Sequence, residues 1–352
     1  MYWTWTEFWW PMSPAAAMAL RIAFALLSVI FVLATLAGFR SDSPVVRLFY
    51  WIASLWMGLA NFLFVCAWIA WLADLVLRFT APAATRIAYR PWIAGALLAL
   101  AITTVIYGVT NARMLRLRRF TVQLPNLPSC WREKQALLIS DMHLGHINGV
   151  EFARRVAAKA QELDPAIIFM AGDLFDGTKV DPRRVAAPLL ELKPPLGIYF
   201  VGGNHEEFGG AAHFEEALRE GGIRVLHNEC AVVDGIRIVG VPYGDSTYPL
   251  HMRSFLEGLN LKGGPSSILL NHVPNRLPIA EHAGVSLQLS GHTHGGGQMF
   301  PFNFITRRAF GKFTYGLHRF GEMLVYTSSG AGTWGPPIRV GTHSEIVLLT
   351  FA

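Results

Sequence analysis

Charged residues are missing from three long stretches in the first third of the chain. Residues 48–73 and 91–112 contain none. Residues 22–39 contain none either, and only Arg21 separates that run from 15–20. A bilayer core is crossed by about 20 apolar residues in a helix. A helix on the surface of a soluble bundle would carry a polar stripe at helical spacing, and these stretches carry none. The pattern predicts transmembrane helices near 15–39, 48–77 and 92–111. Trp51, Trp71 and Trp92 fall near their ends, where indole rings settle among headgroups, and the aromatic run 2–10 precedes the first.

From residue 113 the pattern shortens. Brief apolar runs bounded by Gly, Pro or Asp recur at 136–140, 166–171, 197–201, 236–241, 267–270, 286–290, 323–327 and 345–351. Such runs read as buried strands. Helix-like stretches at 150–163, 182–192 and 212–221 separate the early ones, and strands outnumber helices toward the C-terminus. The chain therefore reads as a membrane anchor over 1–112 and one large α/β domain over 113–352, with stacked sheets flanked by helices.

Composition sharpens this division. The chain is 52% hydrophobic and only 15% charged, against roughly 25% charged in ordinary soluble proteins. Disorder, a collagen-like chain and a simple soluble enzyme are excluded. Residues 1–112 hold 6 Arg, 3 acids and no Lys or His, so all 12 His fall in the second part. The net charge of +6 is spread along the chain, which fits a membrane surface, and no nucleic-acid partner is expected. Cys66, Cys130 and Cys230 are too few and too scattered for a disulfide framework or a thiolate zinc site. With three spans, Arg40, Arg47, Arg113, Arg116, Arg118 and Arg119 share one side, and Arg78, Arg86 and Arg90 the other. The richer side is the cytoplasmic one. That places the N-terminus outside and the large α/β domain in the cytoplasm.

The candidate chemistry sits where the strands end. Asp141 and His143 follow the first, Asp173 and Asp176 the second, and Asn204, His205 and Glu206 the third. His272 and then His292 and His294 follow two later ones. Loops at the carboxyl ends of strands can converge on one site. Two ligands spaced two apart on an extended segment point the same way. Each fragment alone is weak, and a lone His at a strand end is usually structural. The ordered set supplies carboxylate, amide and imidazole donors without thiolate, which fits Mn, Fe or Zn in a two-metal site.

This series resembles the calcineurin-like metallophosphoesterase superfamily. Asp-x-His, Gly-Asp-x-x-Asp, Gly-Asn-His-Glu, His and Gly-His-x-His occur here in that order over about 140–350. The stretch 329–339 is similar to the small, membrane-anchored bacterial branch, which implies a bacterial inner membrane. The resemblance implies a four-layer α/β/β/α sandwich preceded by the three helices. It implies that Asp141, His143, Asp173 and His294 hold one divalent ion, and that Asp173, Asn204, His272 and His292 hold the other. Asp173 would then bridge, and His205, oriented and kept protonated by Asp176, would meet the phosphoryl group. The implied function is hydrolysis of a phosphomonoester, phosphodiester or pyrophosphate by metal-activated hydroxide. A lipid-linked substrate such as UDP-diacylglucosamine is one candidate. The alternatives are a non-catalytic scaffold of the same fold and a membrane sensor. A scaffold would usually have lost ligands, and the helices have few ionisable groups for sensing.

Some positions depart from the family or match no motif. Three glycines, Gly295–Gly297, stand where the branch has two, and Gly177 and Gly202 replace the arginines of the Ser/Thr protein phosphatases. His146 is open between cleft and surface, and Arg339 between the phosphate site and a structural place. His213, His227, His251, His282, His318 and His343 read as structural or solvated. The segment 299–320 mixes seven aromatics with four basic residues and no acid. It reads either as a bilayer-interface patch or as packing for the C-terminal sheet.

Overall fold

The computed structural model describes residues 1–8, 12–301 and 303–352, the side chains of Tyr2, Trp3 and Glu7 excepted. A short helix α1 (Tyr2–Glu7) precedes α2 (Pro14–Gly38), α3 (Pro44–Thr80) and α4 (Ala83–Arg113). The last three are long and apolar enough to cross a membrane. Helices α2 and α3 each open on a serine whose hydroxyl accepts a first-turn amide (Ser13 from Ala16, Ser43 from Val46), with proline next. Large apolar side chains such as Ile22, Leu26, Val29 and Leu33 face outward along α2. In water that exposure would be costly, and in lipid it is not.

Helices α3 and α4 begin earlier than the apolar pattern does, at 44 and 83. Arg47, Arg86 and Arg90 end a hydropathy window, but arginine is a good helix former and does not end a helix. Of the aromatic run before α2, Trp5 and Phe8 are buried in the core of the helices rather than ringing its rim. Trp9 and Trp10 lie outside the described residues.

The second part holds two six-stranded sheets. The first contains β1 (Arg116–Val122), β2 (Gln135–Ile139), β3 (Ile167–Ala171), β4 (Ile198–Val201) and β5 (Arg224–Val225). The second contains β6 (Glu229–Val233), β7 (Ile236–Val241), β8 (Ser267–Asn271), β9 (Leu287–Ser290), β10 (Gly316–Phe320) and β11 (Met323–Thr327). The last strand, β12 (Glu345–Phe351), returns to the first sheet. Their orders are β1-β12-β2-β3-β4-β5 and β10-β11-β9-β8-β7-β6. Strands β2, β3 and β4 run parallel, as do β7, β8 and β9.

The sheets face each other across a core that includes Leu138, Phe169, Leu270 and Leu289. Helices at 150–163, 182–190 and 211–220 cover the outer face of the first sheet, and those at 249–258 and 277–283 cover the second. This is the four-layer α/β/β/α sandwich.

The helices and the sandwich share packing. Ile338 lies between Gly58 of α3 and Gly108 of α4, and a Cβ on either glycine would stand 2.2 or 2.4 Å from its side chain. The Asn111 amide donates to the carbonyls of Arg339 (3.0 Å) and Thr342 (2.8 Å). The aromatic segment divides. Phe313 and Phe320 pack against the core of the second sheet, while Phe300 and Phe304 are exposed. Phe302 lies outside the described residues.

Gly58→Leu is expected to wedge this seam and lower the melting temperature, at a cost of about 1–3 kcal/mol. Gly95→Leu, in α4 where nothing lies within 4 Å, is the control. Equal melting temperatures for the two variants in detergent would show that the seam is not close-packed.

Candidate metal centre

Residues 141–143, 172–176 and 202–206 follow the carboxyl ends of β2, β3 and β4, and 271–272 and 291–294 stand at those of β8 and β9. Parallel strands put these loops at one edge of both sheets. Asp141, His143, Asp173, His292 and His294 all have left-handed backbones, with φ of +50, +49, +51, +69 and +49°. The extended Asp-x-His and His-x-His segments expected from the sequence are thus tight turns. A non-glycine residue held there costs about 1–3 kcal/mol unless its surroundings enforce it.

The surroundings do so. Asp141 N–H donates to the Gly172 carbonyl and His143 N–H to that of Asp173, both at 3.0 Å. Glu206, fully buried, accepts from the amides of Asp173 (3.0 Å), Phe175 (2.8 Å) and Gly203 (2.7 Å), tying the second loop to the third. Burial, and then the nearby Asp173, push its carboxyl up to about 8. Asp141 accepts from His292 N–H (2.8 Å) and Asp173 from His205 N–H (2.9 Å). Those carboxylates fill the space where Cβ atoms on Gly291 and Gly203 would stand, which is why both ligand loops begin on glycine.

Three groups of donor atoms result, each within 4.8 Å: Asp141, His143 and His294; His143, Asp173 and His205; Asp173, His272 and His292. His143 Nε2 lies 3.2 Å from His294 Nε2, and His272 Nε2 lies 3.1 Å from Asp173 Oδ2. The Asn204 side-chain oxygen is 3.0 Å from His292 Nδ1. Every residue that the sequence nominated as a metal ligand is therefore at this one place.

A divalent cation fits here. Asp141 Oδ2 and His143 Nδ1 are buried without hydrogen-bond partners. Such atoms each cost about 1–3 kcal/mol unless something satisfies them. Oxygen and imidazole donors without sulfur suit Mn, Fe or Zn. The electrostatics agree. Burial pushes the Asp141 carboxyl up to about 6. Burial opposes a charge on Asp173, but His272 beside it holds the carboxyl below its usual range. Burial works against a proton on His272 too, yet Asp173 pushes that ring up to about 10. His143 and His294 are held well below the ordinary value by burial, and His292 falls to about 4. Without metal, one proton on His272 stands in for the cation between two carboxylates.

Two side chains have different partners from those the sequence implied. His205 Nδ1 pairs at 2.8 Å with the main-chain carbonyl of Asp176, not with its carboxylate. The carboxylate turns away and accepts from Thr178 N–H (2.8 Å), the Thr178 hydroxyl and His146 N–H (3.2 Å). Asp176 therefore holds a loop and fixes the tautomer of His205 through its backbone. Arg339 is fully buried. Its Nη2 donates to the carbonyls of Gly332 (2.6 Å) and Ser329 (2.7 Å), and those bonds use both of its hydrogens. Its charge, 3.2 Å from His294 Nδ1, helps burial to keep that ring neutral.

His146 belongs to neither cleft nor surface. It is buried against the Tyr50 ring of α3, with Nε2 3.1 Å from the Ser41 carbonyl between α2 and α3. Its Nδ1 faces the Thr178 hydroxyl at 3.2 Å, so the loop between two membrane-type helices is bonded to the Asp176 loop. Two hollows flank the donor groups. One of about 340 Å³ is lined by Asp173, Asn204, His205 and Trp334 together with Thr35, Phe39 and Tyr50. The other, about 460 Å³, is lined by His292, His294, Met299 and Phe310 together with Met57 and Asn61 of α3. Tyr50, Met57 and Trp334 were not nominated from sequence. Tyr50 and Met57 fall in no motif, and only the packing of α3 against the sandwich brings them here, while Trp334 lies in the 329–339 stretch without having been given a role.

A two-sheet sandwich with buried carboxylates and imidazoles at its strand ends is the architecture of a metal-dependent phosphoester hydrolase domain. The chain belongs to the calcineurin-like phosphoesterase family, whose model matches residues 135–296. It is 35% identical to a transmembrane protein with metallophosphoesterase domain from Danio rerio, over 71% of this chain and 61% of that protein. It is 31% identical to an uncharacterized metallophosphoesterase of Campylobacter jejuni, over 72% of this chain and 68% of the relative. An uncharacterized metallophosphoesterase of Aquifex aeolicus is 32% identical over 71% of this chain and 97% of its own length. The chain thus spans about three fifths of the Danio relative. Relatives occur in animals as well as bacteria, so the likeness is wider than the bacterial branch.

Metal loading of the stripped protein is expected to release protons, because His272, pushed up to about 10, must become neutral to ligate. Apparent affinity for Zn²⁺ should then rise about tenfold per pH unit for each proton released. Calorimetry in buffers of different ionisation enthalpy measures this. Affinity independent of pH between 7 and 9 would contradict it.

Proposed function

We propose that this protein is a membrane-anchored phosphoesterase that uses two divalent ions and acts on a lipid-linked phosphoester. In this reading residues 1–112 are the anchor and 113–352 the catalytic domain, on the cytoplasmic side of a bacterial inner membrane. Asp141, His143, Asp173 and His294 hold one ion, and Asp173, Asn204, His272 and His292 the other. The ions would activate a water and offset the charge of the phosphoryl oxygens.

The remaining work belongs to the chain. His205 donates its Nδ1–H to the Asp176 carbonyl at 2.8 Å, so Nε2 is left for the cleft, and only the doubly protonated ring would give a proton from there to the leaving oxygen. The rings of Phe208 and Trp334 lie 5.9 and 5.6 Å from its own and pack edge-on against it. A general acid of this kind contributes about 10²–10⁴-fold.

The observation that carries the lipid-linked part is the wall of the cleft. Phe39 and Tyr50 on one side, and Met57 and Asn61 on the other, come from the α2–α3 hairpin and stand beside the donor groups. A substrate whose phosphate sits among these donors has its remaining atoms against membrane-type helices. A phospholipid, a polyprenyl phosphate or a nucleotide-linked lipid satisfies that geometry.

Three variants test this. Asp173→Asn should lose more metal, by elemental analysis, than any other single ligand change, and with it hydrolysis of an aryl phosphodiester. His205→Gln should keep its metal and lose about 10²–10⁴ in kcat. A parallel fall of metal and activity in His205→Gln would make that ring a ligand instead. Phe39→Ser with Met57→Ser should raise KM for a lipid phosphoester while leaving kcat/KM for the soluble aryl ester within a few-fold. Equal loss on both substrates would remove the lipid-linked part of the reading.

A further inference from the structure

At the end of the helices remote from the metal centre, three arginines gather around one carboxylate. Asp74 of α3 is buried and accepts from Arg90 Nε (2.9 Å) and Nη2 (3.2 Å) and from Arg78 Nε (3.4 Å). Arg86 Nε stays 3.9 Å away and is buried without a hydrogen-bond partner. Among the described residues Asp74 is the sole acid pairing with the three. From Tyr50, beside the metal centre, to Arg78 the helix rises about 40 Å at about 1.5 Å per residue. That spans a bilayer core of about 30 Å.

Beside this cluster lies a hollow of about 750 Å³. Phe64, Ala67, Trp68 and Trp71 line its length, and Arg78 and Arg90 reach it. Because Phe64 precedes Arg78 by nearly four turns of α3, the hollow is apolar toward the middle of the helix and cationic toward its end. Trp71 is fixed as a wall by its indole N–H, which donates to the Thr4 hydroxyl at 2.8 Å. Arg90 is fixed by its two bonds to Asp74. An interfacial arginine without such a frame would simply reach into the headgroups as a mobile chain.

We infer that this hollow binds one lipid with an anionic phosphate headgroup, its acyl chain along Phe64 and Trp68 and its phosphate between Arg78 and Arg90. The ligand pairs its charge with the two arginines that reach the hollow and covers an apolar trough, and the hollow's volume lies in the range of ordinary ligand sites. The site is separate from the catalytic cleft, so it stands or falls independently of the phosphoesterase reading.

Native mass spectrometry of the full-length, metal-loaded protein in detergent tests it. The probes are phosphatidylglycerol and phosphatidylcholine with the same acyl chains. One phosphatidylglycerol should be retained about tenfold more than phosphatidylcholine, as two arginines facing an anionic headgroup would give. Arg78→Gln combined with Trp68→Ala should abolish the preference. Asp74 and Arg90 are left intact because they hold the helices together. Unchanged metal content and aryl phosphate hydrolysis in the variant show that it is folded. Equal retention of the two lipids by the unaltered protein, or an undiminished preference in the variant, would overturn the inference. Displacement of the lipid by millimolar inorganic phosphate would also overturn it, since the site would then be one for free anions.

Discussion

Burial of several titratable groups at one point is the constraint on which the rest of this molecule depends. Asp141 and Asp173 are buried, as are His143 and His272, and they fall in overlapping groups whose donor atoms lie within 4.8 Å of one another. Two carboxylates in a dry site repel each other and forgo hydration, so they stay charged only beside a positive group. Much of the nearby sequence serves to hold that arrangement. Glu206 ties two loops through three amides. Arg339 locks 329–332, and its charge adds to burial in holding His294 below the ordinary imidazole value. Glycines stand where the carboxylates need room. Five left-handed residues store the strain in one place, where a ligand rather than the fold alone can repay it.

A second dependence joins the helices to the sandwich. The Ile338 contact with Gly58 and Gly108 brings the helices to the 334–340 segment, and Arg339 is the next residue. A displacement of α4 is felt at Asn111, which bonds the carbonyl of Arg339 itself, and so one residue from the ring of His294. On the other side, His146 links Ser41 to Thr178 and thereby to the Asp176 carboxylate. The helices are therefore packed into the supports of the metal centre from two directions.

What the sequence made legible follows from where the signal lies. The strands buried on both faces, β2, β3, β4, β7, β8 and β9, announce themselves as continuous apolar runs. The strands that pattern reading missed are β1, β5, β6 and β10, and these are the four sheet edges. Edge strands carry charge and alternate, as Arg116, Arg118 and Arg119 do in β1, because an apolar edge would invite pairing with another chain. The candidate ligands could be nominated because the spacing of donor residues along a loop is a local property. Their supports could not be. Tyr50 and His146 are far apart in sequence, and only the tertiary fold places their rings 5.4 Å apart. The orientation of Asp176 failed for a related reason: spacing tells that a carboxylate is near His205, but not which of its oxygens faces the ring.

The length of α3 explains how one helix can meet both demands. Its 37 residues rise about 55 Å, well beyond the roughly 30 Å of a bilayer core. The excess has to lie outside the hydrocarbon. Residues with sandwich or cleft partners lie between Tyr50 and Asn61, interleaved with the exposed Trp51 and Ile52, and the exposed Trp68, Leu72 and Val76 follow them. One continuous helix runs from the wall of the cleft to the Arg78 cluster, so the distance between the two is set by rigid backbone and not by a flexible tether.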